Sequence, residues 1–245
     1  MTFSSLNDSG TPPRSAEPPR VVSGLRRFAQ TAKPGAEPEP ERCGLCGEIV
    51  GEGHGHLVDI QQRSLVCACR ACALLFTRPG AAGGRYRTVP DRVWHDPGAP
   101  LSAAEWDELR IPVSIAFFFV NSALGQVVAS YPSPAGVTEC ELDLAAWDKM
   151  AAGHPLLRAL APDVEAILTV AGPAGQSGQG IGGHGIGDHG IETFLVPIDL
   201  CYGLAGSLRL NWRGFDGGAE AHAILSGFLD DLRERSLALT TEGEG

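Results

Sequence analysis

The sequence predicts an α+β protein in which a small N-terminal metal-binding module precedes a mixed-sheet α+β domain, and three observations carry that prediction. Five of the seven cysteines fall between positions 43 and 72, as Cys43-x2-Cys46 and then Cys67-x-Cys69-x2-Cys72. Beyond Pro100, apolar runs of strand length are interspersed with segments whose apolar residues recur at helical spacing. Hydrophobic residues make up 43% of the 245, enough to fill a real core.

Clustered cysteines form disulfides in an oxidising compartment and hold metals in a reducing one, so targeting decides between the two readings. The start of the chain, MTFSSLNDSGTPPRSAEPPR, has no apolar run after a basic segment, and no secretory signal is expected. The longest apolar stretch, residues 113–120 (VSIAFFFV), falls short of the roughly 20 residues of a membrane span and reads as one buried strand. The expected location is therefore the cytoplasm, with thiols reduced or metal-bound. With 29 acidic against 19 basic residues the formal charge is −10. A tetrathiolate zinc site would add about −2 more. Such a field opposes phosphate backbones and disfavours nucleic acid as a partner. Residues 41–95 depart from this balance, with Arg42, Arg63, Arg70, Arg78, Arg85, Arg87 and Arg92 against five acids. They read either as a local basic face or as an offset to thiolate charge.

In chain order, residues 1–40 are rich in Pro, Ser, Glu and Gly and are expected to form a disordered tail. Within it, residues 21–31 (VVSGLRRFAQT) read as a nascent short helix, with a partner-docking motif as the sharper alternative. Residues 41–95 form the expected four-cysteine metal-binding module. Each Cys-x2-Cys pair can turn both sulfurs toward one ion, and the stretch between them suits a hairpin with arms at 57–60 and 64–67. Residues 71–76 (ACALLF) decide the form of the module. A helix there gives a treble-clef-like module and an extended segment gives a zinc ribbon; the following Thr77-Arg78-Pro79-Gly80 favours the ribbon.

Residues 100–240 form the expected α+β domain. It opens on Ser102, an N-cap with Glu105 placed to complete a capping box. Strands are expected at 115–121 and 126–131 as a hairpin, then at 164–170, 193–198 and 206–212. Helices are expected at 144–152 and 156–160, split by Gly153-His154-Pro155, and at 217–239. The insertion at 172–190 (GPAGQSGQGIGGHGIGDHG) reads as a flexible low-complexity loop, although His184 and His189 could catch a borderline metal ion.

Cys43, Cys46, Cys69 and Cys72 are the expected metal ligands, because the matched pairs reproduce two facing knuckles. Cys67 stands two residues before Cys69, and on an extended strand both sulfurs would project from one face. It reads as a bystander thiol, a hydrogen-bonding neighbour of the site or a replacement ligand, and His54 and His56 are further alternates. A closed four-thiolate zinc site leaves no position for substrate and is structural. Iron would use the same sulfurs, since ligand softness does not separate the two metals. A displaceable thiolate would instead suit redox chemistry or metal transfer. Of the two lone cysteines, Cys140 and Cys201, the latter reads as core packing. Two G-x-G-x-x-G matches, at 178–183 and 185–190, do not open a helix after a strand, and no G-x-S-x-G or H-E-x-x-H motif occurs. No catalytic residue is assigned. Asp199, Arg213 and Glu220 default to surface salt bridging.

The runs Arg42-Cys43-Gly44-Leu45-Cys46-Gly47, Cys67-Ala68-Cys69-Arg70-Ala71-Cys72-Ala73-Leu74-Leu75-Phe76 and Gly84-Arg85-Tyr86-Arg87 resemble an uncharacterised bacterial family often encoded among nickel-iron hydrogenase genes. Tyr131-Pro132-Ser133-Pro134-Ala135-Gly136, Phe194-Leu195-Val196-Pro197-Ile198-Asp199 and Trp212-Arg213-Gly214 extend the likeness over most of residues 42–235. The resemblance implies an accessory or assembly role, with a hydrogenase subunit or maturation factor as partner. Two functions are thus carried forward. One is a non-catalytic accessory protein with a structural zinc; the other is a redox or metal-transfer protein with a rubredoxin-like iron or an exchangeable metal.

Overall fold

An apolar run without polar alternation has to be covered on both faces, and residues 115–121 are so covered in the computed structural model of the chain, which describes residues 40–78, 80–171, 190–214 and 217–239. The expected tail, the 21–31 helix and nearly all of the glycine-rich insertion, with His184 and His189, lie outside the described residues.

The cysteine-rich segment builds a small antiparallel sheet. Strands β1 (Gly55–Asp59) and β2 (Ser64–Ala68) form the expected hairpin, followed by helix α1 (Arg70–Leu75) and strand β3 (Tyr86–Thr88), giving the order β2-β1-β3. Residues 71–76 thus take the helical form rather than the extended one, and the module is treble-clef-like rather than a ribbon. The helix does end early, at Leu75, yet six residues with Cys69 as N-cap are enough to place both cysteines of the second pair.

The larger sheet begins with the two-residue strand β4 (Trp94–His95), and the expected capping box of Ser102 and Glu105 starts α2 (Ala103–Glu108). Strands β5 (Ile115–Asn121), β6 (Gln126–Ser133) and β7 (Gly136–Cys140) follow as a meander. Helices α3 (Leu144–Gly153) and α4 (Pro155–Arg158) lead into β8 (Glu165–Ala171) and β9 (Ile191–Pro197). Next come α5 (Ile198–Asn211), α6 (Gly218–Arg235) and β10 (Leu237–Ala238). The sheet order is β10-β4-β9-β8-β5-β6-β7, antiparallel except for the β10–β4 pair.

Residues 206–212 were expected to be a strand and instead complete α5. Leu208 and Leu210 suggest alternation when read alone, but Ile198, Cys201, Leu204, Ala205 and Leu208 form one buried helical stripe, and Leu210 is exposed. That stripe packs with Ala221, Leu225, Leu229 and Leu232 of α6 over Phe117, Leu168 and Val196 on one face of the sheet. The opposite face, carrying Phe118, Ile167 and Leu195, is covered by Trp106 and Leu109, by Trp147 and Met150 of α3, and by Leu156 and Leu157 of α4. Val58 of β1 belongs to the first of these layers together with Val89 and Val93, so the small sheet shares the core of the large one. The described residues all belong to one structural unit.

Candidate metal centre

The first knuckle is closed by its own backbone. The Gly47 amide donates to the Cys43 carbonyl at 2.9 Å and the Cys43 amide to Glu48 at 2.8 Å, with Gly47 at φ +76° making the reversal. The Gly44 amide then donates to the Cys67 carbonyl at 2.8 Å, which docks the knuckle on the end of β2. An ideal Cβ on Gly44 would lie 2.5 Å from Val66 Cγ1, so this approach needs glycine. The second pair uses helix geometry: Cys69 is the N-cap of α1 and Cys72 its third residue, one turn apart on the same side.

Cys43, Cys46, Cys69 and Cys72 are brought together, their sulfurs within 4.8 Å of one another. The Cys46 and Cys69 sulfurs are 3.7 Å apart. A tetrahedron with metal–sulfur bonds of about 2.3 Å has edges of about 3.8 Å, so the donor set and its spacing suit a four-coordinate thiophilic ion. Cys43 is buried and Cys46 exposed. All are free thiols, so the two-knuckle geometry is not a disulfide framework.

The electrostatics of the cluster point the same way. Burial pushes the Cys43 thiol up, but the backbone amides of Cys69, Cys46 and Leu45 outweigh it and bring the group down to about 6. The Cys72 thiol is pushed up to about 12, first by Cys69 and Cys46 beside it and then by burial. The Glu48 amide lowers the Cys46 thiol, but the neighbouring Cys43 and Cys69 sulfurs together outweigh it and the group is raised as well. Like charges at this distance resist joint ionisation, and a divalent cation removes that resistance.

Cys67, left open from sequence as bystander, neighbour or replacement ligand, falls in a second group beside the first knuckle. It sits opposite His56 in the β1–β2 register, and its sulfur lies within 4.8 Å of ring nitrogens of both His54 and His56 as a separate group of three. The alternates for the cysteine site are therefore gathered in a place of their own. Asp199, read from sequence as a surface salt-bridging residue, accepts a hydrogen bond from His56 Nδ1 at 2.8 Å across 143 positions. Nothing local in the sequence signals that pairing. Cys201 is fully buried in α5, as core packing requires, and burial pushes its thiol far up.

Four of the module's seven arginines are engaged by acids, while Arg70 and Arg78 are exposed. Arg85 binds Asp59 at 2.7 Å, Arg92 binds Glu165, Arg87 lies 3.8 Å from Asp163 and Arg63 reaches Glu139 at 3.3 Å. No described helix is long and apolar enough to cross a membrane. Beside the cysteines, Leu45, Ile49, Leu74 and Leu75 are exposed, the last two by 63% and 67%.

The model of a protein family described as a family of unknown function (DUF5947) matches residues 42–236. No curated protein and no solved structure matches the chain.

Proposed function

We propose that this chain, which belongs to the DUF5947 family of unknown function, is a non-catalytic accessory or assembly protein for a nickel-iron hydrogenase, with a structural zinc at Cys43, Cys46, Cys69 and Cys72. The observation that carries the zinc reading is the convergence of four thiols from two knuckles at tetrahedral spacing. Four protein ligands leave no open position for substrate, so the ion clasps α1 and the first knuckle to the hairpin and does no chemistry. Leu45, Ile49, Leu74 and Leu75 stand exposed on the clasped segments, and they support the reading of the module as a partner-binding surface. The class of partner, a hydrogenase subunit or maturation factor, comes from the sequence resemblance.

Two measurements test this. The reduced, purified protein should be colourless and hold one zinc per chain through dialysis against a chelator, and Cys43→Ser should lose it. A red protein with thiolate-to-iron absorption would establish the iron alternative at the same cysteines. Affinity capture from cells making a nickel-iron hydrogenase should retain a hydrogenase component, and Leu74→Ser with Leu75→Ser should release it. Capture of no such component would refute the partner.

A further inference from the structure

The group of His54, His56 and Cys67 has the organisation of a metal site in its own right. Two histidines and a thiolate form a borderline donor set of the kind that zinc, cobalt and nickel share. A strand pair builds it: His56 and Cys67 are directly opposed in the β1–β2 register, so both side chains leave the hairpin on one face. His54, one residue before β1, lies with its ring centroid 4.8 Å from that of His56.

The hydrogen bonds fix which nitrogen of each ring is offered. His54 Nδ1 stands 2.9 Å from the Gly51 carbonyl, an acceptor only, so Nδ1 carries the proton and Nε2 the lone pair. That Nε2 is buried and has no hydrogen-bond partner. His56 Nδ1 donates to Asp199 Oδ2 at 2.8 Å, which leaves its Nε2 as the donor atom as well. A carboxylate or carbonyl behind the far ring nitrogen is the arrangement that orients metal-binding histidines. A buried imidazole nitrogen without a partner is costly, and an ion on it removes the cost.

We propose that His54 Nε2, His56 Nε2 and Cys67 Sγ form a second metal site, selective for a borderline divalent cation, with Asp199 as the positioning residue behind His56. Three protein donors leave the fourth position to water or to an exchangeable ligand, so this ion exchanges where the four-thiolate ion does not. The site is assigned on its own geometry and stands whether or not the four-thiolate centre holds zinc. Because Asp199 lies in the first turn of α5, an ion here also links the hairpin to the α5 layer of the large sheet. Val58 and Leu65, the next pair on the same face of the hairpin, line a cavity of about 620 Å³ between the two sheets.

The test adds Co2+ to chelator-dialysed protein in a His184→Ala, His189→Ala background, which removes the histidines of the glycine-rich insertion. The expected result is one cobalt bound per chain, with tetrahedral visible bands and a single-thiolate charge-transfer band, while metal retained through dialysis stays in place. Cys67→Ser and His56→Gln should each abolish cobalt uptake without releasing that retained metal. Asp199→Asn should keep the stoichiometry but weaken binding by about 10–100-fold. Absence of cobalt uptake overturns the proposal, as does a single-thiolate cobalt band that persists in both Cys67→Ser and His56→Gln. Loss of the retained metal in Cys67→Ser with an unchanged circular dichroism spectrum would make Cys67 a ligand of the four-thiolate centre and overturn it too. Should Cys67→Ser fail to fold, His56→Gln decides by the same readout.

Discussion

Gly44 shows how one missing side chain sets the metal centre. Its amide bonds the Cys67 carbonyl at 2.8 Å, and a methyl group there would drive into Val66 Cγ1 at 2.5 Å. Gly44→Ala is expected to destabilise the protein by about 1–3 kcal/mol through overpacking. Val66→Ala should recover most of that loss in a double-mutant cycle read by urea denaturation, and additive costs would show that the contact is not the cause. Arg92 is a second case. Its guanidinium reaches Glu165, whose carboxylate is fully buried, at 2.8 Å, and it stacks 4.3 Å from the Trp94 ring centroid. Arg92→Ala strands a buried charge and is expected to cost about 3–5 kcal/mol in thermal or chemical denaturation, whereas an exposed ion pair of the Lys149–Glu108 kind would cost under about 1 kcal/mol. The four paired cysteines were legible in the sequence because knuckle spacing is local. The destination of Cys67 was not, since it depends on the β1–β2 register that sets it opposite His56, and no local pattern fixes that register.

Elements whose ends carry their own chemistry were the legible ones. The Ser102–Glu105 capping box forms as the sequence predicts, with the Glu105 carboxylate accepting from the Ser102 amide at 2.9 Å and from His154 Nε2 at 2.9 Å. The Ser102 hydroxyl and amide, and then His154, hold the Glu105 carboxyl down at about 2 against its ordinary 4.5. A depressed carboxylate contributes stability that is complete above the unfolded value and disappears as pH falls through the folded one. The stability gap between the native protein and Glu105→Gln should therefore be widest above about pH 4.5 and close toward about pH 2. A gap that stays constant over that window, measured by urea denaturation, would show that the charge of Glu105 plays no part. Ser102→Ala should cost about 1 kcal/mol at neutral pH by loss of the cap. Where local signals conflicted, the reading failed. Thr77 to Gly80 announced the end of α1 without saying what preceded it, and the stripe of α5 is visible only over its whole length from Ile198. Strands of two residues, β4 and β10, carry too little pattern to be found at all.

Across the whole molecule, the two sheets differ in what holds them. The large sheet has an apolar layer on each face, and its strand order joins segments far apart in sequence, which is why periodicity alone revealed its members but not their neighbours. The small sheet shares only part of a layer with it: β1 sends Val58 into the shared core, with Val89 and Val93 beside it, while Leu57 and Ala68 are buried outside both core clusters. The first knuckle and α1 have less still, for Cys43 is the only buried residue among positions 43–49 and α1 has none. A metal at the four thiols would therefore contribute most of the local stability of these two segments and little of the stability of the large sheet. Removing it with a chelator under reducing conditions should raise amide hydrogen exchange sharply over residues 43–49 and 69–76. Protection should persist in β5, β8 and β9, and should persist in part in β1, which Val58 and the His56–Asp199 hydrogen bond tie to the α5 layer. The resulting exchange map separates local release from global unfolding. If β8 and β9 lose protection together with the knuckles, the ion supports the whole fold rather than clasping one end of it, and the exposed leucines of α1 would then be a consequence of that fold instead of a surface the metal sets in place.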